Sequence, residues 1–477
     1  MLNAQVVILD FGSQFTQLIA REVRKLGVYC EIYPCTIPLE DLKKKKPAAL
    51  ILSGGPASVQ LGPQMSKAIL EWQIPVLGIC YGMQLLSHLK KGKLNQGKTR
   101  EYGASEIEIV EPQGIFHGFP KNKKVQVWMS HGDSVETLPR GATLLAKSEH
   151  CPIVAFEMGK VYGVQFHPEV HHTTIGREIL SNFLFRISKV RPDWTFGDFL
   201  TAKEKELKEL VGNKRIIGAV SGGVDSSILA IFLNRIFPKQ FFPVFVDHGL
   251  LRENEAKQVY ASLKTAGVNL KVIDARNLFL GRLKKVKDPE RKRKIVGKTF
   301  IEVFEKECKK ISRVDFLAQG TLYPDVIESV SVKGPSHTIK THHNVGGLPK
   351  RMNLKLIEPF RELFKDDVRI LGEVLNVPKD IIYRHPFPGP GLALRILGDV
   401  TQAKINLLRK ADTIFIDELR ASGLYDKIWQ AFTVLLPVQS VGVMGDARTY
   451  ENAIALRAVT SRDGMTADWY SFEKETL

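Results

Sequence analysis

Serine and glycine crowd together at Ser221, Gly222, Gly223, Val224, Asp225, Ser226 and Ser227, setting three hydroxyls and a carboxyl around two adjacent glycines. Adjacent glycines let the backbone turn without a Cβ penalty, so that successive N–H groups can line one concavity. The run Arg215 to Val220 reads as a strand, and Ile228, Leu229, Ile231, Phe232 and Ile236 recur at helical spacing. The nest therefore lies at the positive end of a helix dipole, a setting that suits a polyphosphate. Asp225 is its nearest carboxylate, and it either caps the helix or serves as a ligand to phosphate-bound Mg2+.

A second group lies earlier in the chain. Val76 to Ile79 is a short buried-strand run leading into Gly78, Ile79, Cys80, Tyr81 and Gly82. Small residues flanking a cysteine after a strand permit the tight turn of a nucleophile elbow, and a helix N-terminus behind the sulfur favours its thiolate. Pro168 keeps His167 extended, so His167 and Glu169 share one side of the chain. Glu169 can then hold the imidazole while its other nitrogen addresses Cys80, a Cys-His-Glu relay. A metal reading of His167, His171 and His172 is weaker, since the proline spoils helical spacing and no carboxylate or cysteine completes the set. Gly92 to Thr99 spells a literal Gly-x-x-x-x-Gly-Lys-Thr, but a helix precedes it and a strand follows, the reverse of what a phosphate cradle needs.

Strands at Val6 to Leu9, Ala49 to Leu52 and Val76 to Ile79 alternate with helical patterns, which predicts a parallel α/β sheet with its functional groups beyond the strands' carboxyl ends. Arg191 to Trp194 break the pattern, and the charged helix Phe196 to Val211 leads to the strand before the serine-glycine loop. A strand at Phe242 to Val246 ends in Asp247, His248 and Gly249, where backbone groups are expected to hold adenine and ribose. Past a rigid turn-rich segment, His385 to Leu392, a long helix around Thr401 to Ser422 and strands at Ile428 to Val438 and Asn452 to Val459 predict a small α+β domain. The expected fold class is α/β, with two doubly wound parallel-sheet domains at 1–193 and 194–384 and an α+β domain at 385–477.

The 477 residues are 44% hydrophobic, ample for about three cores. No apolar run reaches the ~18 residues of a membrane span, so a cytoplasmic protein is expected. Five scattered cysteines show no Cys-x-x-Cys pair, which argues against zinc or a redox switch. The net charge of +17 suits small anionic substrates, and the runs Lys43 to Lys46 and Arg291 to Lys294 lack the interleaved aromatics of a base-stacking surface. Neither nucleic acid nor membrane is expected as a partner.

Ser-Gly-Gly-Val-Asp-Ser-Ser resembles the PP-loop of ATP pyrophosphatases, and Gly-Ile-Cys-Tyr-Gly-Met-Gln with Phe-His-Pro-Glu resembles class I glutamine amidotransferases. Together with Gln319 to Ser329 and Ile339 to Pro349, they make nearly the whole chain resemble the GMP synthetase family. The resemblance implies a carbon-nitrogen ligase that makes GMP from xanthosine monophosphate (XMP), glutamine and ATP through an adenylylated intermediate, releasing AMP, pyrophosphate and glutamate. It also implies that Cys80 is the nucleophile, that Gly55 and Tyr81 supply oxyanion N–H groups, and that Gln84, Ser130, His131 and Asp133 seat glutamine. Loop residues 221–227 would hold ATP, with Asp225 on Mg2+. Arg293 would approach the acceptor nucleotide, although a solvated charge is the alternative, and the segment with Gly389 and Gly391 would lie near it. Lys340, His342 and His343 would tip a lid hinged at Gly346 and Gly347, and the C-terminal domain would make a homodimer.

Family members continue past the equivalent of Leu477 into a segment whose lysine and glutamate contact the purine nucleotide. The C-terminal domain is therefore expected to be incomplete, and the alternative is a truncated member that keeps glutaminase and ATP binding without full synthesis. tRNA thiolation is disfavoured because only Cys308 lies near the loop domain, and asparagine synthetase because residue 2 is Leu2 and not a cysteine.

Overall fold

The computed structural model describes residues 5–311, 313–322, 325, 354–444, 447–460 and 468–474. The segment 339–349, expected as a lid, lies outside them. The chain forms two compact units, Met1–Ala202 and Lys203–Leu477.

The first unit is built on a nine-stranded sheet of β1 (Val6–Asp10), β2 (Cys30–Pro34), β3 (Ala49–Leu52), β4 (Val76–Ile79), β5 (Lys93–Ile109), β6 (Lys124–Thr137), β7 (Thr143–Ser148), β8 (Ala155–Met158) and β9 (Val161–Val164), in the order β2-β1-β3-β4-β9-β8-β7-β5-β6. From β2 to β9 the neighbours run parallel, as expected. From β9 to β6 they are antiparallel, so the sheet is mixed. Both faces are covered: Val6 and Ile8 join one apolar cluster with Ile19, Val23 and Ile179, while Val7 and Leu9 join another with Leu42, Leu85 and Leu86. Period-two alternation sends successive β1 residues to opposite faces, and every one of these four is fully buried. The Walker-like stretch is strand from Lys93 onward, with Lys93 to Gln96 paired to β6, and is not a phosphate loop.

In the second unit, β10 (Ile216–Val220), β11 (Phe241–Asp247), β12 (Lys271–Asp274), β13 (Phe316–Ala318) and β14 (Lys355–Ile357) make an all-parallel sheet ordered β12-β11-β10-β13-β14. β10 is central, so the loop leaving it emerges mid-sheet at the strands' carboxyl ends, where such sheets bind ligands. The apolar cluster containing Ile217, Val244 and Phe304 also takes in Leu392, Ile396, Ile405, Leu408 and Leu435. The helix Gln402–Ala421 and the antiparallel β15 (Gln430–Met444), β16 (Ala447–Thr460) and β17 (Asp468–Trp469) enclose a smaller cluster of Phe415, Ile416, Leu419, Ile428, Ala431 and Ala458.

Candidate functional site

Cys80 joins β4 to the helix Tyr81–Leu89 with φ 52° and ψ −106°, a left-handed conformation that costs a non-glycine residue about 1–3 kcal/mol. Buried neighbours over-determine it. Cys80 N donates to Val164 O at 2.8 Å, and Gly82 N donates to Ser53 O at 3.1 Å. A Cβ on Gly78 would fall 2.5 Å from the Gly82 carbonyl carbon, and one on Gly82 would fall 2.6 Å from Leu52 O, so both flanks of the cysteine must be glycine. Tyr81 opens the helix, where its N–H has no intrahelical acceptor. A Cβ on Gly55 would stand 3.0 Å from Phe11 O and 3.1 Å from Tyr81 Cγ, so Gly55 packs closely against the Tyr81 side chain.

His167 and Glu169 meet as their spacing predicts. Nδ1 lies 2.7 Å from Glu169 Oε1, and both residues are buried. Burial alone depresses the His167 pKa, but the Glu169 charge, hydrogen bonds to Cys80 and Glu169, and the Cys80 charge together push it up to about 10. With Nδ1 taken, Nε2 is the nitrogen left for the sulfur. Gly54 allows the approach, since a Cβ there would lie 3.2 Å from His167 Cε1. Phe15 packs edge-on against the imidazole at 4.9 Å, and Thr173 Oγ1 donates to His167 O at 2.6 Å. His172 stacks on Trp128 at 4.4 Å.

The expected glutamine-seating residues converge on the same sulfur. The Cys80 thiol donates to Ser130 O at 3.5 Å. Asp133 O accepts from Gln84 Nε2 at 2.6 Å and from His131 Nδ1 at 3.0 Å, while Asp133 Oδ2 is buried without a hydrogen-bond partner among the described residues. Both amide hydrogens of Gln84 are committed, the second to Gln165 Oε1 at 3.3 Å, which leaves only its own oxygen for substrate. Burial lowers the His131 pKa, although Glu101 opposes this from 3.1 Å. Gln165, Glu101, Thr173 and Phe15 went unnoticed in the sequence. Only Gln165, two residues before His167, carried a local signal.

In the second unit the serine-glycine loop closes on itself. Ser221 N donates to Ser226 Oγ at 3.2 Å, Gly223 N to Ser221 Oγ at 3.3 Å, and Ser226 Oγ to Gly223 O at 3.2 Å. Gly222 has φ +80°, and a Cβ there would also meet Val259 Cγ2 at 2.7 Å. Arg384 clamps the turn, donating to Gly222 O at 2.9 Å and pairing with Glu255 at 2.8 Å. Gly223 is the N-cap of the helix Val224–Ile236, so Asp225 is no cap. Its Oδ1 is buried and unpartnered among the described residues, and burial raises its pKa, with Lys365 and Arg369 opposing and Asp325 adding. An orphaned carboxylate oxygen near a second carboxylate fits a divalent cation held beside phosphates. Ser227 and Val224 are buried, packing the helix onto the sheet.

A cavity of about 1010 Å³ opens beside the loop, lined by Gly222, Ser227, Arg252, Arg384, Asp412 and Tyr425 among others, and its volume suits a nucleotide-sized ligand. Arg293, Gly389 and Gly391 are not in that lining. Arg293 Nη2 pairs with Glu290 at 2.9 Å, Gly389 is open, and Gly391 (φ +59°) would put a Cβ 2.2 Å from Leu250 O. Beyond β11, Gly249 O and Leu251 O accept from Arg409 at 2.9 and 2.8 Å, so two of the carbonyls there are already engaged.

Residues 7–187 match the family model of class-I glutamine amidotransferases, and residues 417–477 match that of the GMP synthase C terminal domain. Proteins named GMP synthase (glutamine-hydrolyzing) resemble the chain from end to end. That of Aquifex aeolicus is 54% identical over 98% of this chain and 92% of its own. That of Nitratidesulfovibrio vulgaris is 52% identical over 100% and 93%, and that of Campylobacter lari 53% over 100% and 94%.

Proposed function

This chain belongs to the glutamine-hydrolysing GMP synthases, and from that premise we propose how its residues divide the work. The reaction is the glutamine-dependent conversion of XMP to GMP by a carbon-nitrogen ligase, with ATP as co-substrate. The truncated alternative is not favoured, since the chain spans 92 to 94% of the three relatives' lengths.

Cys80 attacks the glutamine carboxamide with its proton already held on His167 Nε2, and Glu169 keeps the imidazole turned toward the sulfur. The N–H groups of Gly55 and Tyr81 receive the oxyanion, where one donor typically contributes about 3 kcal/mol. His167 returns the proton to the departing ammonia, leaving a glutamyl thioester for water. Ser130, His131 and Asp133 seat the substrate, and Gln84 offers its Oε1. The observation that carries this half is the buried Cys80, His167 and Glu169 constellation on a strained elbow.

In the second unit the backbone and hydroxyls of residues 221–227 hold the outer phosphates of ATP, leaving the α-phosphorus open to the XMP oxygen. Asp225 and Asp325 would hold Mg2+, which neutralises phosphate charge when bound. Adenylylation turns a poor leaving oxygen into a good one; ammonia then displaces AMP. Arg293, Gly389 and Gly391 remain proposed neighbours of the acceptor, by kinship with the family. The functional division stays threefold, with 385–477 as a dimerisation and acceptor domain. Exposed Val438, Val441, Tyr450, Leu456 and Trp469 on β15 to β17 support a homodimer there. Among the described residues no helix is long and apolar enough to cross a membrane, in keeping with the proposed cytoplasmic location.

Incubation with ATP, XMP and ammonia tests the reading. AMP and pyrophosphate should appear in equal amounts, and ADP with phosphate would refute it.

A further inference from the structure

The Cys80, His167 and Glu169 row leaves one polar group at the sulfur unused. Gln165 is wholly buried, and its Nε2 stands 3.7 Å from Cys80 Sγ. A primary amide could turn either its nitrogen or its oxygen to the sulfur, and the surrounding hydrogen bonds decide which. Asp133 O is a backbone carbonyl and can only accept, so the Gln84 group facing it at 2.6 Å must be the NH2. The second hydrogen of that NH2 meets Gln165 at 3.3 Å and therefore requires its oxygen. The Gln165 NH2 is left for the sulfur. His131 Nδ1, donating to the same carbonyl at 3.0 Å, holds the anchor in place.

We propose that Gln165 is a further catalytic residue of the glutaminase half, an N–H donor to the Cys80 sulfur whose orientation is set by Gln84. The inference rests on the reading of Cys80 as nucleophile. Cys80 Sγ lies 3.5 Å from Ser130 O, and as a neutral thiol the sulfur would be only a weak acceptor. With the proton held on His167, the sulfur carries a full charge and the amide hydrogen bond is charge-assisted. When the S–C bond forms, the charge moves to the carbonyl oxygen and the donor loses its purchase. It regains it when water attacks the thioester, the S–C bond breaks and the electron pair returns to sulfur. Gln165 thus favours both generation of the nucleophile and its departure. The titratable groups around the sulfur are His167 and Glu169 after β9 and His131 on β6, with Glu101 of β5 behind it; the test substitutions leave all four in place.

The test uses the full-length chain with Gln165→Met, which keeps the volume and removes the donor, Gln165→Glu, which sets a carboxylate against the thiolate, and Gln84→Met, which frees the Gln165 amide to turn. Alkylation by iodoacetamide is followed across pH beside glutaminase turnover, with ammonia-dependent GMP formation as the check on folding. Gln165→Met should slow alkylation at neutral pH by about 10-fold to 100-fold, the loss expected for one hydrogen bond to a charged group. Its pH profile should move toward higher pH, and glutaminase kcat/KM should fall in step. Gln165→Glu should lose more and Gln84→Met less, with ammonia-dependent synthesis unchanged. A wild-type alkylation rate and pH profile in Gln165→Met would overturn the proposal; should that variant lose ammonia-dependent synthesis, Gln84→Met is judged by the same criterion. Cys80→Ser separates the two readings, because undiminished alkylation there would refute the nucleophile itself.

Discussion

Lys292 and Ala393 are 101 residues apart in sequence, yet the buried Lys292 ammonium donates to the Ala393 carbonyl at 3.0 Å and to the Ile396 carbonyl at 2.6 Å. These carbonyls lie at the end of the short 3-10 turn Gly391–Leu394, so one side chain ties the basic helix Pro289–Cys308 to the proline-glycine segment. Burial lowers the Lys292 pKa, with Asp399 opposing.

Lys292→Met should therefore leave two carbonyls without their donor and cost the second unit about 2–4 kcal/mol. Urea unfolding should show a lower midpoint for that unit, while Cys80-dependent glutaminase activity stays at its wild-type level.

Cys80→Ala removes the proposed nucleophile and nothing the second unit is proposed to use. Glutamine-dependent GMP formation should vanish and ammonia-dependent formation persist within about 2-fold, well under the factor of 10 that 1.4 kcal/mol represents. Equal loss of both activities in a steady-state assay would argue against separable sites.

Gly78→Ala should break the elbow from below, since the new methyl would meet the Gly82 backbone at 2.5 Å and neither partner can move. Overpacking of this kind costs about 1–3 kcal/mol or more. Glutaminase activity and the melting temperature should fall together.

Acid should weaken the second unit through two buried imidazoles. Burial pulls His248 down to about 4, with Asp247 opposing and Arg409 adding, and it pulls His385 down to about 4, with the Tyr425 carbonyl opposing and Arg252, Arg369 and Arg420 adding. The unfolded chain, with histidines near ~6.5, binds more protons in this window. Stability is thus full above about pH 6.5 and falls as pH drops toward about 4, by roughly 2–3 kcal/mol for each histidine. His385 also accepts from Ala431 N at 3.2 Å, so protonation breaks that bond. Urea midpoints at about pH 7.5 and about pH 5 should differ less in His385→Gln than in the wild type.

Much of the geometry of the proposed site was legible because it is local. Cys80 follows a strand and is fenced by glycines, and His167 and Glu169 are two residues apart on an extended chain. The parallel strands β1, β3, β4, β10 and β11 announced themselves as apolar runs, whereas β2, β9, β12, β13 and β14 did not. Most of the antiparallel half of the first sheet did not: β5, read as a strand only after Thr99, is a 17-residue strand that begins within a glycine- and lysine-rich stretch. Pairing across 81 residues, as between Gln84 and Gln165, leaves no mark on a linear pattern. Lys292 hid inside a basic run because its neighbours Arg291 and Lys294 are exposed and only packing sets it apart.

The left-handed turn at Cys80 is clamped by a hydrogen bond to β9 and by two glycines that leave no room for rearrangement. The proposed nucleophile is thus presented ready-made, with no loop to order and no rotation to await before glutamine arrives. Any restraint on wasteful hydrolysis must then act on what surrounds the sulfur: its donors, its base and the groups that receive the oxyanion.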